Sequence, residues 1–193
     1  ATAQPAKSTA ASRPTSRGRK YGFPRQTLYL RANSGSMSDY DDFIARVKVL
    51  STIESIGGLL GWDQETMMPR GAADQRSDEM AAMEGVLHAR RTGPRIGEWL
   101  AAIDGETLDD AGRAQLREIR RSFERANKVP ARLAAEIARV TSQAQGQWAE
   151  ARAADDFAAF APILREVLAL RREEGAALSD GGDVYDALLD DYE

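Results

Sequence analysis

The chain has 193 residues, a formal net charge of −4, 29% charged residues and no cysteine. This length suits one domain, or one domain with a tail, and the missing cysteine excludes disulfides and thiolate metal sites. A single histidine, His88, is too few for a zinc hydrolase site, and no run of about 18 apolar residues is present to span a membrane.

Residues 1–36 form a basic leader that differs from the rest of the chain. They hold seven Lys and Arg side chains and no acid, whereas the remaining residues carry 19 basic and 30 acidic groups, a net of −11. This composition predicts a disordered leader. The leader composition is equally compatible with an organellar transit peptide and with non-native upstream sequence. The second interpretation arises because a strong helix start follows Met37. The acidic body argues against a nucleic-acid partner, and a nucleic-acid binder would depend on the leader alone.

The remaining residues show apolar side chains at helical spacing. The period predicts helices at about 39–60, 73–91, 95–103, 107–127, 130–154 and 157–178, with a last amphipathic stretch over 184–192. No segment alternates with period two, so strands are not expected. The predicted fold class is all-α, an antiparallel bundle of about six to seven helices joined by short loops. The last stretch stops at Glu193 without a cap or polar tail, which is typical of a cut chain.

A glycine-containing corner, residues 57–73, is predicted between the first two helices. Gly57, Gly58 and Gly61 each lower helix propensity by about 1 kcal/mol relative to alanine. Pro69 disfavours a helical conformation at the residue before it. Loops with an aromatic and several polar groups often carry binding chemistry, and a plain corner whose Trp and Met side chains fill the core is the alternative. The polar loop residues are Trp62, Asp63, Gln64, Glu65 and Thr66.

Two other polar features have ordinary structural explanations. His88, near the end of the second helix, is predicted to be solvated or to satisfy the helix dipole. The fourth helix carries a basic face that is predicted to be solvated or paired with acids on a neighbouring helix. Its members are Arg113, Arg117, Arg120, Arg121 and Arg125.

Four stretches, taken together and in order, resemble the carboxypeptidase Taq family. Residues 60–73 read Leu-Gly-Trp-Asp-Gln-Glu-Thr-Met-Met-Pro-Arg-Gly-Ala-Ala and are followed by Arg76. Residues 121–130 read Arg-Ser-Phe-Glu-Arg-Ala-Asn-Lys-Val-Pro, residues 156–162 read Asp-Phe-Ala-Ala-Phe-Ala-Pro, and residues 185–193 read Tyr-Asp-Ala-Leu-Leu-Asp-Asp-Tyr-Glu. The resemblance covers roughly residues 40–193 and leaves the leader outside it.

The resemblance implies a largely helical, usually dimeric metallopeptidase that removes C-terminal residues from peptides in a deep groove. It also implies catalytic zinc, or cobalt, held by a His-Glu-x-x-His helix and a further glutamate, with the motif glutamate as general base. This chain has no such motif, which in the family lies carboxyl-terminal to the matched region. We therefore expect the amino-terminal part of a metallocarboxypeptidase, with no catalytic residue, metal ligand or bound cofactor of its own.

The same resemblance implies that residues 62–66 lie along one wall of the substrate groove. Asp63 and Glu65 would orient a metal-ligand histidine or pair with an arginine that reads a substrate carboxylate. Capping the second helix or bonding loop amides is equally compatible with their chemistry.

The implied partners are peptide substrates, the missing carboxyl-terminal half and, in the full-length enzyme, a second subunit. Neither a membrane nor a nucleic acid is expected. The expected location is cytoplasmic, or organellar if residues 1–36 are a transit peptide. A standalone, non-catalytic helical interaction module that shares the signature is the alternative function.

Overall fold

The computed structural model of the chain describes residues 39–190, so the predicted basic leader, residues 1–36, lies outside the described residues. Seven α-helices occur within this range: α1 (Asp39–Thr66), α2 (Ala73–Arg91), α3 (Pro94–Ala102), α4 (Asp110–Lys128), α5 (Ala131–Ala153), α6 (Phe157–Leu178) and α7 (Val184–Leu189). Two short 3-10 turns, Arg70–Ala72 and Gly105–Thr107, lie between helices. No strand is present among the described residues, which confirms the all-α class.

Local sequence signals fix several helix ends. Asp109 accepts a hydrogen bond from the Gly112 amide at 2.8 Å and caps α4, and Asp156 caps α6 through the Ala159 amide at 3.0 Å. Aspartate at this position satisfies an amide that the first helical turn leaves without a partner. The short link between α5 and α6 reverses the chain, so the two helices pack as antiparallel neighbours.

Helix α1 is longer than the glycine pattern predicts, and the predicted loop over residues 57–73 is wrong in its first half. The helix continues through Gly57, Gly58 and Gly61 and ends at Thr66. Each glycine costs about 1 kcal/mol of helix propensity, but tertiary packing overrides propensities of this size. The helix ends where Pro69 requires it, and the Met67 and Met68 amides both donate to the Asp63 carbonyl.

Two apolar clusters lie in the core of the described residues. The first joins α1, α3 and α4 through Phe43, Ile96, Leu100 and Leu116. The second joins α5 and α6 and is built on Val140, Ala144 and Ile163. Helix α2 packs along α5 and also contacts α1, and the end of α1 reaches α5 through hydrogen bonds between Gln64 and Ser142.

The bundle has no candidate for a bilayer span. None of the helices between residues 39 and 190 combines the length and apolar character that crossing a bilayer requires.

Candidate functional site

The five residues predicted to line a groove occupy the final turn and a half of α1. Consecutive residues of an α-helix are rotated by about 100°, so these five side chains point in different directions. The Trp62 side chain is 58% exposed and Glu65 is exposed. The Thr66 hydroxyl donates to the Trp62 carbonyl at 2.7 Å, within the same helix. The five predicted residues therefore have different surroundings and do not all face one site.

Asp63 joins α1 to α2 through Arg76. The Arg76 side chain is 11% exposed, and its Nη2 lies 2.6 Å from Asp63 Oδ2. Its Nε donates to Glu79 at 2.9 Å, and its Nη1 donates to the Leu60 carbonyl. The hydrogen bond to Asp63 raises the pKa of Arg76, and donation from Gln75 and Arg76 lowers the pKa of Glu79. This arginine thus fastens the end of α1 onto the start of α2.

Gln64 joins α1 to α5. Its Nε2 donates to the Ser142 carbonyl at 2.8 Å, while the Ser142 hydroxyl donates back to Gln64 Oε1 at 2.8 Å. Gln145 Oε1 lies 3.5 Å from the same Nε2. Ser142 is 9% exposed, so both of its hydrogen bonds are largely shielded from water. Asp63 and Gln64, adjacent in sequence, therefore bind two different helices.

A groove of about 870 Å³ lies between the end of α1, the start of α2 and the carboxyl-terminal half of α5. Gln64 and Glu65 are the two predicted residues that line it, whereas Trp62, Asp63 and Thr66 do not. The opposite wall comes from α5 and presents the side chains of Gln143, Gln147 and Glu150. Side-chain amides both donate and accept hydrogen bonds, as a peptide backbone does.

The charge of the groove is mostly acidic. Glu65, Asp74 and Glu150 line it together with one cation, Arg70. Within residues 39–190 none of these four side chains forms an ion pair with another described residue. They are therefore available to charged groups of a ligand.

The contribution of α5 was missed by the sequence reasoning. Residues 140–149 contain no charged side chain, although the helices around them are highly charged. An uncharged, amide-rich run of this kind was the one available signal that α5 forms a wall. Gly146 lies in this run, and a Cβ built there meets no atom within 4 Å. This glycine therefore widens the groove next to Gln145 and Gln147.

His88 takes a structural role that differs from the predicted solvated or dipole-satisfying one. It is half-buried, and its Nε2 donates to the Val129 carbonyl at 2.7 Å. This bond joins α2 to the connection between α4 and α5, whereas the prediction considered only water and the end of α2 itself. Arg121 and Arg125, on the predicted basic face of α4, both pair with Asp190 after α7.

The described residues do not fit the catalytic metal that the family resemblance implies. No group of three or more His, Cys, Asp or Glu side chains between residues 39 and 190 is placed to hold a metal ion. Asp63 is committed to Arg76, and His88 is committed to Val129. No catalytic step can be assigned to these side chains.

Comparison with known proteins relates the whole helical body to one family. Residues 42–193 match the family model of the carboxypeptidase Taq (M32) metallopeptidases. Thermostable carboxypeptidase 1 of Thermus thermophilus is 40% identical over 168 residues, which cover 80% of this chain and 33% of that protein. Thermostable carboxypeptidase 1 of Pyrococcus furiosus is 30% identical, with 78% of this chain and 30% of that protein covered. The chain thus spans about a third of the curated relatives it matches.

Solved structures agree with this relationship. Metallocarboxypeptidase 1 of Trypanosoma cruzi superposes with a TM-score of 0.63 at 33% identity, covering 82% of this chain and 32% of that one. The crystal structure of BsuCP superposes with a TM-score of 0.74 at 21% identity and shares the fold. Because the family model covers most of the chain and both sequence and fold agree with it, the chain belongs to the carboxypeptidase Taq (M32) metallopeptidase family.

Proposed function

We propose that this chain forms one wall of the substrate groove of a metal-dependent carboxypeptidase that releases C-terminal amino acids from peptides. The observation that carries the proposal is the family match over residues 42–193, in a chain that spans about a third of its relatives. In this proposal the metal centre and the general base belong to the part of the enzyme that the chain does not span.

The groove between α1, α2 and α5 is the surface on which the peptide would lie. Gln143 and Gln147 offer amides to the backbone of an extended peptide, and Gly146 leaves room for that backbone to approach α5 closely. Gln64 is held by Ser142, and Arg76 holds the end of α1, so this wall is rigid before the peptide binds. A rigid wall lowers the entropic cost of binding.

The catalytic metal supplies a polarised water and a Lewis acid when it is bound in such enzymes. A metallopeptidase family implies a divalent ion in the whole enzyme. Zinc or cobalt as that ion, a homodimeric assembly and a cytoplasmic location follow from the family resemblance alone and form part of the proposal. The isolated chain is proposed to be inactive.

The proposal is tested with a chimera in which residues 42–193 replace the matched segment of the Thermus thermophilus enzyme. The metal-loaded chimera is expected to release C-terminal residues from peptides, whereas the 193-residue chain alone releases none and holds no stoichiometric metal. Metal analysis and release of amino acids measure the two outcomes. A chain that binds one metal ion and cleaves peptides on its own would contradict the division of roles proposed here.

The groove itself is tested by two substitutions of one residue in the chimera. Gly146→Leu fills the space beside Gln145 and Gln147 and is expected to lower kcat/KM for peptides at least tenfold. Gly146→Ala, the matched control, adds one methyl group and is expected to leave kcat/KM within about twofold. Equal activity of the two variants would show that peptides do not pass along this groove.

The alternative function, a standalone non-catalytic interaction module, is not favoured. The match to a peptidase family runs through the whole helical body, and no observation on the described residues supports a separate role. Nucleic-acid binding would depend on residues 1–36, which lie outside the described residues.

A further inference from the structure

One face of α1 is exposed and almost free of charge. We call it the uncharged α1 face and define it by Ser51, Thr52, Ser55, Gly58, Leu59 and Trp62, all of which are exposed. Leu59 is 62% exposed and Trp62 is 58% exposed. The only charged residue from 49 to 62 is Glu54, and Arg91 of α2 binds it at 3.1 Å. Large exposed apolar groups on an uncharged face are typical of an interaction surface.

The hydroxyl groups on this face already have hydrogen-bond partners. The Thr52 hydroxyl donates to the Lys48 carbonyl at 2.9 Å, and the Ser55 hydroxyl donates to the Ser51 carbonyl at 3.0 Å. Burying a polar group costs free energy chiefly when its hydrogen bond is lost. Because these two donors bond within α1, another apolar surface can cover them at little cost.

The spacing along the face suits a second helix. Ser51, Ser55, Gly58 and Trp62 recur at intervals of four, three and four residues, the repeat with which one helix packs along another. Small residues on such a seam let two helix backbones approach closely. A Cβ built at Gly58 meets no atom within 4 Å, so this point of the seam is open and has room for another helix to approach.

We propose that the uncharged α1 face is covered by a helix from the part of the carboxypeptidase that this chain does not span. The inference rests on the proposed function. Helix α1 packs on α2 and α3 through its other side, and the relatives are about three times longer than the region they share with this chain. A second copy of the chain is the competing occupant, and the concentration dependence of labelling described below separates the two.

The test measures the accessibility of single cysteines, since the chain has none of its own. Ser55→Cys and Leu59→Cys place a thiol on the face, and Arg117→Cys on α4 is the control because its side chain is 70% exposed among charges. Each is introduced into the 193-residue chain and into the Thermus thermophilus chimera. Labelling with a thiol reagent is expected to be at least tenfold slower in the chimera at positions 55 and 59, and unchanged at position 117.

The outcomes separate this inference from the proposed function. Peptidase activity of the chimera with fully reactive thiols at 55 and 59 overturns the docking inference and leaves the proposed function standing. Protected thiols in a folded but inactive chimera support docking and count against the function. In the 193-residue chain alone, labelling at 55 should match that at 117 at every concentration. Protection that disappears on dilution, together with a dimer in sedimentation, would assign the face to a second copy and overturn the proposal.

Discussion

Gln64 of α1 and Ser142 of α5, 78 residues apart in sequence, hydrogen-bond to each other twice, with both distances at 2.8 Å. One bond uses the serine hydroxyl as donor, and the other uses the serine carbonyl as acceptor. The pair sets the distance between the two helices that border the groove.

Removing this pair is expected to destabilise the body without changing its fold. Ser142→Ala loses one bond and costs about 1 kcal/mol, and Gln64→Leu loses both and costs about 2 kcal/mol. Urea unfolding of the two single variants and of the double variant gives their coupling energy. Gln147→Leu, at an exposed position on the same helix, is the control and should change stability by less than about 0.5 kcal/mol. Additive effects would show that the two residues act independently.

Arg76 is expected to be replaceable by neither lysine nor alanine. The Asp63 and Glu79 side chains are 37% and 39% exposed, so water partly screens their ion pairs with Arg76. Arg76→Lys is expected to lower the free energy of unfolding by about 2 kcal/mol, because lysine lacks the planar guanidinium fork and loses the hydrogen bond to the Leu60 carbonyl. Arg117→Lys, on the exposed face of α4, is the matched control with an expected change below about 0.5 kcal/mol. Chemical unfolding compares the two, and an equal effect would exclude the fastening role of Arg76.

Glu84 should give stability a pH dependence of unusual sign for a carboxylate. Burial raises the pKa of Glu84, although Arg91, 2.8 Å away, acts in the opposite direction. A raised pKa in the folded state means that folding favours the protonated form. The contribution of Glu84 to the free energy of unfolding is therefore greatest below the pKa that Glu84 has in the unfolded chain. This contribution is lost as pH rises through the pKa that Glu84 has in the folded chain.

The comparison of wild type with Glu84→Gln isolates this effect. Three other carboxylates have lowered pKa values and make stability rise with pH: Glu79, Glu136 and Asp190. Their contributions are the same in both proteins and cancel when the two free energies of unfolding are subtracted. The free energy of unfolding of wild type is expected to fall relative to that of Glu84→Gln as pH rises from about 4 toward neutrality. A difference that stays constant, or grows in favour of wild type, contradicts the prediction.

Gly175 lets α7 dock against α6. A Cβ at this position would lie 2.5 Å from Val184 Cγ1 and 2.9 Å from the Val184 carbonyl oxygen, distances that side chains do not tolerate. Gly175→Ala is therefore expected to displace α7 and to lower stability by about 1–3 kcal/mol. Hydrogen exchange of the α7 amides should accelerate.

A second glycine provides the control for that substitution. Gly85 of α2 meets no atom within 4 Å of a built Cβ, so Gly85→Ala is expected to stabilise the chain by about 1 kcal/mol. Opposite signs of the two changes in thermal unfolding would support the close contact at Gly175. Equal stabilisation by both substitutions would exclude it.

Most helices could be predicted from the sequence, because their signals come from neighbouring residues in the chain. Asp156 predicts the start of α6 and Pro69 limits the reach of α1, whereas α4 begins at Asp110, three residues later than predicted, with Asp109 as its cap. Each of these signals acts within one helical turn, so it can be read without a partner. The family resemblance likewise rested on contiguous residues, and the match over residues 42–193 confirms it.

Only the tertiary structure decided where the signature residues point. Local propensity predicted that the first helix ends near residue 60, but packing of α1 against α2 outweighs a few kcal/mol of propensity and keeps the chain helical through Gly61 to Thr66. The sequence spacing of residues 62–66 said nothing of Arg76 or Ser142, because hydrogen bonds between helices depend on how the helices cross. The sequence thus determined the helices and the family, and the packing of α1, α2 and α5 determined which side chains face the groove.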